Sequence, residues 1–522
     1  MNQTVDLLVI GGGASGVSVT YEAVRRGLKV ALLEATDLGA ATSCRSTKLL
    51  HGGVRYLELA FKTADPAQLR LVREALMERG HWLQQAPFLA HRLELALPTT
   101  NPFSQAYYRI GLGLYDALAG RKGIGSSRWL SQQQLCDALP QLKPGLNGGV
   151  AYSDGQFDDA RLNLLLALTA EHAGAQIQTA CRVTQLERDA QGRICGAISL
   201  RADGREDRWQ ARVVVNATGI QADALRHLAD PSLPERMLTS RGTHLVLKAN
   251  LCPQGMGLLL PATDDGRVLF MLPFYGRTLV GTTDTACPLA AAATPSPEEE
   301  NYLIDYVRRW FPQLNDQSIS SSWAGGRPLL RPAGAELSSS RVVREHEVET
   351  LPCGLVSVMG GKWTTCRPMA LDTLEAVEAQ LDHPLPPPKP LPLLGAAADP
   401  AQTPTRLAHQ RTDLEALLPD TPWRTAQRNH LESSFGLRAA AVVNQWAPAD
   451  RQPLSDVIPV CRGELAHAIH AEHARSVTAV LARRSRLAMV DLKAAEELVP
   501  VVNELLAQHP EGSGGQSLNL AH

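Results

Sequence analysis

Val5-Asp6-Leu7-Leu8-Val9-Ile10-Gly11-Gly12-Gly13-Ala14-Ser15-Gly16 is followed by a helix-like segment and then by Lys29-Val30-Ala31-Leu32-Leu33-Glu34. An apolar run, a glycine turn, a helix, a second apolar run and an acid, in that order, predict a βαβ unit that cradles a dinucleotide. Gly11 permits the tight turn, Gly13 lets the main chain approach a pyrophosphate, and Gly16 lets the helix pack on the strand. Ala14 and Ser15 open the helix, whose positive end faces the phosphates. Glu34 falls where a carboxylate accepts a hydrogen bond from a ribose hydroxyl. An ordinary glycine-rich loop would explain the triplet alone, but not the strands, the spacing and the acid together. These residues fit NAD or FAD, and one fingerprint at the N-terminal end favours a built-in FAD.

Composition bounds what surrounds this unit. A chain of 522 residues predicts two or three domains, and 44% apolar with 20% charged residues is that of an ordinary globular protein. A net charge of -2 gives no global reason to expect a nucleic-acid partner. Nine cysteines without a C-x-x-C pair argue against a disulfide framework or a cysteine-rich metal site and fit a reducing compartment. No signal peptide is expected before the first strand, and no stretch is apolar for long enough to span a bilayer, so membrane contact would be peripheral. Residues 102–118 are aromatic and amphipathic and precede Arg121-Lys122, as in an interfacial helix; packing on the protein's own core explains them equally well.

Further along, two kinds of element interleave. Asp158 to Gly174 reads as a helix, Ala175 to Leu200 as strands, and Val213 to Gly219 as a strand ending in a small-residue turn. Residues 240 to 285 carry the patterns of an antiparallel sheet, a platform for substrate. Ser296-Pro297-Glu298-Glu299 is a capping box that predicts a helix to about Trp310. Leu355 to Arg367 holds a second strand, glycine turn and helix, Gly360-Gly361-Lys362-Trp363-Thr364-Thr365. That turn aims another helix N-terminus at a flavin ring, which gains negative charge on reduction, or is a plain strand-to-helix turn. The prolines between His383 and Pro404 predict a semi-rigid linker. Helical periodicity then runs from Leu407 to Gln508, notably over Glu464 to Arg486, and the tail from Pro510 is expected to be disordered.

The segment Thr42-Ser43-Cys44-Arg45-Ser46-Thr47-Lys48-Leu49-Leu50-His51-Gly52-Gly53-Val54-Arg55-Tyr56-Leu57-Glu58 resembles the signature of the respiratory, FAD-dependent glycerol-3-phosphate dehydrogenases. Further matches follow in order at Tyr152-Ser153-Asp154, Asp158 to Leu162, Asn216 to Gly219, Gly281 to Asp284, Gly326 to Leu329, Gly360 to Thr365, Glu472-His473-Ala474 and Leu481 to Leu487. The resemblance covers nearly the whole chain. It implies an α/β fold with a Rossmann-like FAD-binding domain (1–95, 150–230 and 335–382) interleaved with an antiparallel-sheet substrate domain (96–149 and 231–334). A proline-rich linker (383–405), an all-helical C-terminal domain (406–509) and the tail (510–522) complete it. It also implies oxidation of sn-glycerol 3-phosphate to dihydroxyacetone phosphate and a quinone acceptor. The enzyme would attach peripherally to the inner face of the cytoplasmic membrane, with a homodimer suggested. Another polyol phosphate, an amine substrate, oxygen as acceptor and a non-catalytic flavoprotein stand as alternatives.

Oxidising a secondary alcohol moves a hydride to the flavin while the hydroxyl proton leaves to a base, and a phosphomonoester calls for cationic donors in fork geometry. Arg55, Arg327, Arg344 and Lys362 are the cations on the matching motifs, with Tyr56 and Thr364 adding neutral hydrogen bonds. His244, on a predicted strand, is the candidate base or hydroxyl orienter; Arg327, with its high intrinsic pKa, suits phosphate binding or alkoxide stabilisation. For the cofactor, Gly11, Gly13, Ala14, Ser15, Gly16 and Glu34 would hold pyrophosphate and ribose. Thr42, Ser43, Ser46, Thr47, Lys48, His51, Gly52 and Gly53 would follow the ribityl chain and ring. Val183 would meet adenine through its main chain, Ala217 and Gly219 would lie near the cofactor, and Gly361, Lys362, Trp363 and Thr364 would edge the flavin's pyrimidine. Cys44, Cys366 and Ile220-Gln221-Ala222 depart from the family's common residues, which leaves the substrate's exact identity open.

Overall fold

The computed structural model describes residues 2–53, 66–261, 263–331, 346–509 and 515–521. Strand Asn2–Ile10 lies at the centre of an eight-stranded sheet, parallel to Glu206–Asn216 on one side and Val30–Leu33 on the other. Val356–Gly360 and Gln176–Gln178 extend the parallel core, while His346–Thr350 and the hairpin Cys181–Arg188/Ile194–Arg201 join antiparallel. The continuous apolar runs have the composition that strands covered on both faces need. Helices Ala14–Val24, Asp159–His172 and Cys366–Glu378 pack together over one face.

A ten-stranded sheet forms the second layer. Met237–Leu247 pairs antiparallel with Ile319–Leu330 and with Arg277–Gly281, and the sheet continues through Leu269–Phe274 and Gly257–Leu260. Ala90–Pro98, Gly149–Phe157 and Leu49–Leu50 follow, and the short strands Thr285–Ala286, on Met237–Leu247, and Arg128–Leu130, on Gly149–Phe157, complete it. Strand pairing therefore divides the chain differently from the boundaries at 95 and 150. Residues 90–95 and 150–157 belong to this sheet, because Ala90–Pro98 and Gly149–Phe157 pair along their whole lengths. The capping box at Ser296 forms with both of its hydrogen bonds and starts the helix Pro297–Trp310.

Helices from Thr403–Leu417 to Val499–Ala507 make the C-terminal layer. It shares an apolar core with the second sheet: Leu481, Leu487, Met489 and Val490 join Leu279 and Trp323. At about 1.5–3 kcal/mol per fully buried large apolar side chain, this contact stabilises the layer in place. The helical run expected over Glu464 to Arg486 stops at Ala471. Glu472 there turns its carboxylate onto Arg161 of the first layer (2.6 and 2.7 Å), and His473 adopts a left-handed backbone before a π-helical turn, Ala479–Arg484. The proline-rich linker is a strap on the first helix: Lys389 N–H donates to Arg25 O (2.8 Å), Tyr21 OH to Leu391 O, and Leu393 is buried. The tail, expected to be disordered, docks from Gly515: Gln516 N–H donates to Asn503 Oδ1 (2.8 Å), Asn519 bonds Thr478, and Leu518 and Leu520 pack on the core.

The two layers are also joined by charge. Asp37, buried behind the first βαβ unit, accepts from Arg483 Nε at 2.5 Å and from Arg484 at 2.7 and 3.0 Å. Burial alone would raise this carboxyl's pKa, but the two guanidiniums hold it below the usual aspartate value. Such a group stabilises the fold fully above the unfolded-chain pKa of about 3.9, and the contribution fades as pH falls through the lower folded-state value. Asp37→Asn leaves two buried guanidiniums without their carboxylate and is expected to cost about 3–5 kcal/mol in urea unfolding at neutral pH, with acid unfolding beginning at a higher pH.

Candidate active site

A cleft of about 400 Å³ runs between the two sheets. At its outer end the turn after Asn2–Ile10 takes the shape its glycines allow. Gly11 has φ +110°, and a Cβ there would lie 2.5 Å from Ala217 O; a Cβ at Gly16 would lie 1.9 Å from Gly11 O. The helix Ala14–Val24 thus starts against the strand, with no capping side chain at Gly13 and no acid in its first turn. That leaves its positive end turned to the cleft. The Glu34 carboxylate is anchored by Gly12 N–H (2.7 Å) and Thr36 N–H (2.8 Å); burial raises its pKa, which these hydrogen bonds oppose. Arg182 and Val183 line the same end.

The loop from Thr42 to Lys48 forms the wall and is stitched on every side. Thr42 Oγ1 donates to Gly326 O at 2.5 Å, Ser43 Oγ accepts from Ala14 N–H at 2.9 Å, and Trp363 Nε1–H donates to Ser43 O at 2.9 Å. Ser46 donates through its N–H (2.9 Å) and hydroxyl (2.7 Å) to Asp159 Oδ2. The second glycine turn meets the loop from the opposite side, where Thr364 Oγ1 is 3.4 Å from His51 N.

At the inner end His244 is buried on strand Met237–Leu247, with Nε2 3.0 Å from Thr47 Oγ1 and its ring stacked 4.3 Å from Trp323. Burial first, then the charges of Lys48 and Arg327, push the imidazole well below its ordinary pKa; a hydrogen bond with the Gly242 backbone opposes them. His244 is therefore neutral at physiological pH. Arg327, on the neighbouring strand, is oriented by Thr283 O (2.8 Å), Thr282 Oγ1 (3.1 Å) and Asp284 Oδ1 (3.3 Å). Lys362 and Arg45 complete a cationic lining.

One cleft thus brings together Gly11, Gly13, Ala14, Ser15, Glu34, Thr42, Ser43, Ser46, Thr47, His51, Val183, Ala217, Gly219, His244, Arg327, Gly361, Lys362, Trp363 and Thr364. Four candidates lie behind its walls, point away or fall outside the lining residues. Gly16 packs on Gly11, and Gly52 N–H donates to Tyr115 OH at 2.7 Å. Lys48 turns its ammonium from the cleft onto Asp159 (2.7 and 2.9 Å) and Cys44 O (2.7 Å), and its own backbone is left-handed at φ +62°. Gly53, with φ +81°, follows Gly52 outside the lining residues. Arg55, Tyr56 and Arg344 lie outside the described residues. Arg45, Arg182 and Asp159 were missed by sequence reasoning. Arg45 carried a signal, a cation inside the quoted signature; Asp159 acts through tertiary contacts that no local pattern announces.

This fold and cleft are those of a flavin-dependent oxidoreductase. Residues 6–367 match the family of FAD dependent oxidoreductases, and residues 388–513 match the C-terminal domain of alpha-glycerophosphate oxidase. The chain is 37% identical over 529 residues to a mitochondrial glycerol-3-phosphate dehydrogenase of Arabidopsis thaliana, covering 96% of this chain and 82% of that protein. It is 36% identical over 525 residues to the mitochondrial glycerol-3-phosphate dehydrogenase of Homo sapiens, covering 96% and 70%. The structure of the glycerol-3-phosphate dehydrogenase from Bacillus halodurans complexed with FAD matches with a TM-score of 0.76 at 26% identity, over 97% of this chain and 90% of that one. The chain belongs to the FAD-dependent glycerol-3-phosphate dehydrogenase family, and FAD is its dinucleotide.

Gly16→Ala forces the first helix off the strand, at a cost of about 1–3 kcal/mol. The purified variant is expected to have lost its flavin absorbance, with a lower melting temperature.

Proposed function

We propose that the protein oxidises sn-glycerol 3-phosphate to dihydroxyacetone phosphate and passes the electrons to a membrane quinone. The observation that carries this reading is the cleft lining, which puts Arg45, Arg327 and Lys362 in one cavity with His244, an imidazole that burial first and then the charges of Lys48 and Arg327 hold well below its ordinary pKa. Guanidinium and ammonium groups beside a neutral imidazole match a substrate that is a phosphate at one end and an alcohol at the other. Bound FAD supplies the two-electron acceptor for the hydride leaving the carbinol carbon. The hydroxyl proton passes to the Thr47 hydroxyl, which hands its own proton to His244 Nε2 3.0 Å away as the C=O bond forms. The substrate's phosphate brings negative charge into the cationic end and raises the imidazole's basicity when the proton must be received. Arg327, held by Thr283 and Asp284, stabilises phosphate or developing alkoxide.

Peripheral attachment at the inner face of the cytoplasmic membrane is supported by the helix Pro102–Ala119. Leu112, Tyr115 and Ala119 face the core, while Phe103, Tyr107, Ile110 and Leu114 form a row 88%, 54%, 75% and 38% exposed. Arg121 and Lys122 follow at its end. An apolar row beside basic residues suits insertion at the level of anionic headgroups. No helix among the described residues is long and apolar enough to cross a membrane.

Anaerobic sn-glycerol 3-phosphate is expected to bleach the bound flavin, and no bleaching would overturn the substrate assignment. In Arg327→Ala and Lys362→Ala, kcat/KM should fall by about 10²-fold or more with FAD still bound. Turnover with a short-chain quinone should exceed that with oxygen alone. For the membrane, serine at Phe103, Tyr107 and Ile110 together should reduce co-sedimentation with anionic vesicles by about tenfold or more while leaving flavin bleaching in solution unchanged.

A further inference from the structure

Lys48 is a buried lysine with a left-handed backbone that the chemistry above does not use. Its Nζ lies 4.6 Å over one face of Trp323, and His244 stacks on Trp323 at 4.3 Å with the rings 22° apart. Lys48 is thus adjacent in sequence to Thr47, which bonds His244, and is linked to the same imidazole through an indole. The ammonium is fixed by Asp159 Oδ1 and Oδ2 and by Cys44 O. Asp159 is fixed in turn by Arg486 of the C-terminal layer, whose Nη2 lies 3.0 Å from Oδ1 and 3.4 Å from Cys44 O.

We propose that Lys48 is a positioning residue: clamped by Asp159 and Arg486, it lays a fixed positive charge against Trp323 and so adds to burial in keeping the His244 imidazole uncharged toward the cleft. Burial pushes the ammonium down to about 8, with Asp159 opposing, so Lys48 carries its charge at neutral pH. Among the described residues, the charged groups around the imidazole are Lys48 from the flavin loop and Arg327 from strand Ile319–Leu330. Asp159 is paired to Lys48 and Asp284 to Arg327, while the strand Arg277–Gly281 presents a glycine to the ring. Two cations thus act on the ring, Arg327 from the neighbouring strand and Lys48 by way of Trp323, and each is paired with a carboxylate. The C-terminal layer acts on the reaction through this chain of contacts, since Arg486 holds the carboxylate that holds Lys48.

The proposal rests on His244 as proton acceptor, so its test reads the imidazole without substrate. Oxidised holoenzyme carrying ¹³C-labelled histidine is titrated by NMR, with the His244 signal assigned from a His244→Asn spectrum. The unmodified protein should keep His244 neutral well below its ordinary value near 6.5. Lys48→Met should move its titration up by at least about one pH unit, and the pH profile of flavin reduction by glycerol 3-phosphate should gain an acid limb at the same place. Lys48→Arg should leave both where they were. Should Lys48→Met not fold, Lys48→Met with Asp159→Asn removes the Lys48–Asp159 pair together, leaving Arg486 its contact with Asp158, and should show the same shift. A His244 titration near 6.5 in the unmodified protein, or one unmoved in the variants, overturns the proposal. A moved titration with no bleaching by glycerol 3-phosphate keeps it and overturns the substrate reading instead.

Discussion

The Asp159 carboxylate sits where three parts of the chain meet, and the flavin loop has its shape because that charge is buried. A carboxylate out of water is tolerated only where its lone pairs are used. Its oxygens accept from the Lys48 ammonium, the Ser46 N–H and hydroxyl, the Arg486 guanidinium and the N–H of Ala160. Asp158, next to it, caps the helix through Arg161 N–H and so sets the direction in which Asp159 points. Lys48 meets this acceptor with a left-handed backbone, and its neighbour Thr47 bonds His244 Nε2 at 3.0 Å. One buried charge therefore ties the cofactor wall to His244.

The same electrostatics explain why the C-terminal layer is part of the catalytic body. Arg483 and Arg484 meet Asp37, Arg486 meets Asp159, and in the reverse sense Glu472 meets Arg161. Buried pairs of this kind contribute little net stability over well-packed apolar groups, but breaking one is costly. Their value is in register. Each pair is satisfied in one placement of the helices against the flavin loop, while the apolar contact around Leu487 and Met489 would tolerate sliding.

What was legible in the sequence was local. The turn from Gly11 to Gly16 is written in a spacing that only one backbone satisfies, and the capping box at Ser296 closes within its own four residues. Lys48 is different: in the signature it looks like a cation for the cofactor, and its direction is decided by a carboxylate 111 residues away. The break at Glu472 has the same origin, since Arg161, which ends the helical run by drawing that side chain across, is 311 residues distant. The strap at Pro388–Pro392 looked like a linker because proline excludes helix, whereas what a proline segment lies against depends on partners such as Tyr21. Candidates within a continuous turn were therefore found together, and the acids and bases that organise them from behind were not.

A cleft that must attract a dianion and still offer an uncharged proton acceptor faces opposed demands, because the cations that draw the phosphate also decide the state of the imidazole. The arrangement around His244 satisfies both. Arg327 is already engaged by Asp284 and by the carbonyl of Thr283, so its guanidinium is oriented before substrate arrives and part of its charge is balanced. Lys48 is balanced by Asp159 and lies outside the cleft lining against Trp323, so in the proposed role it would act on His244 without competing for the phosphate. On the proposed assignment of His244 as proton acceptor, the phosphate's negative charge opposes that of Arg327 and Lys48 at the imidazole, and the ring becomes more basic. Proton acceptance is then tied to the arrival of substrate, which is the order that hydride removal from an alcohol requires.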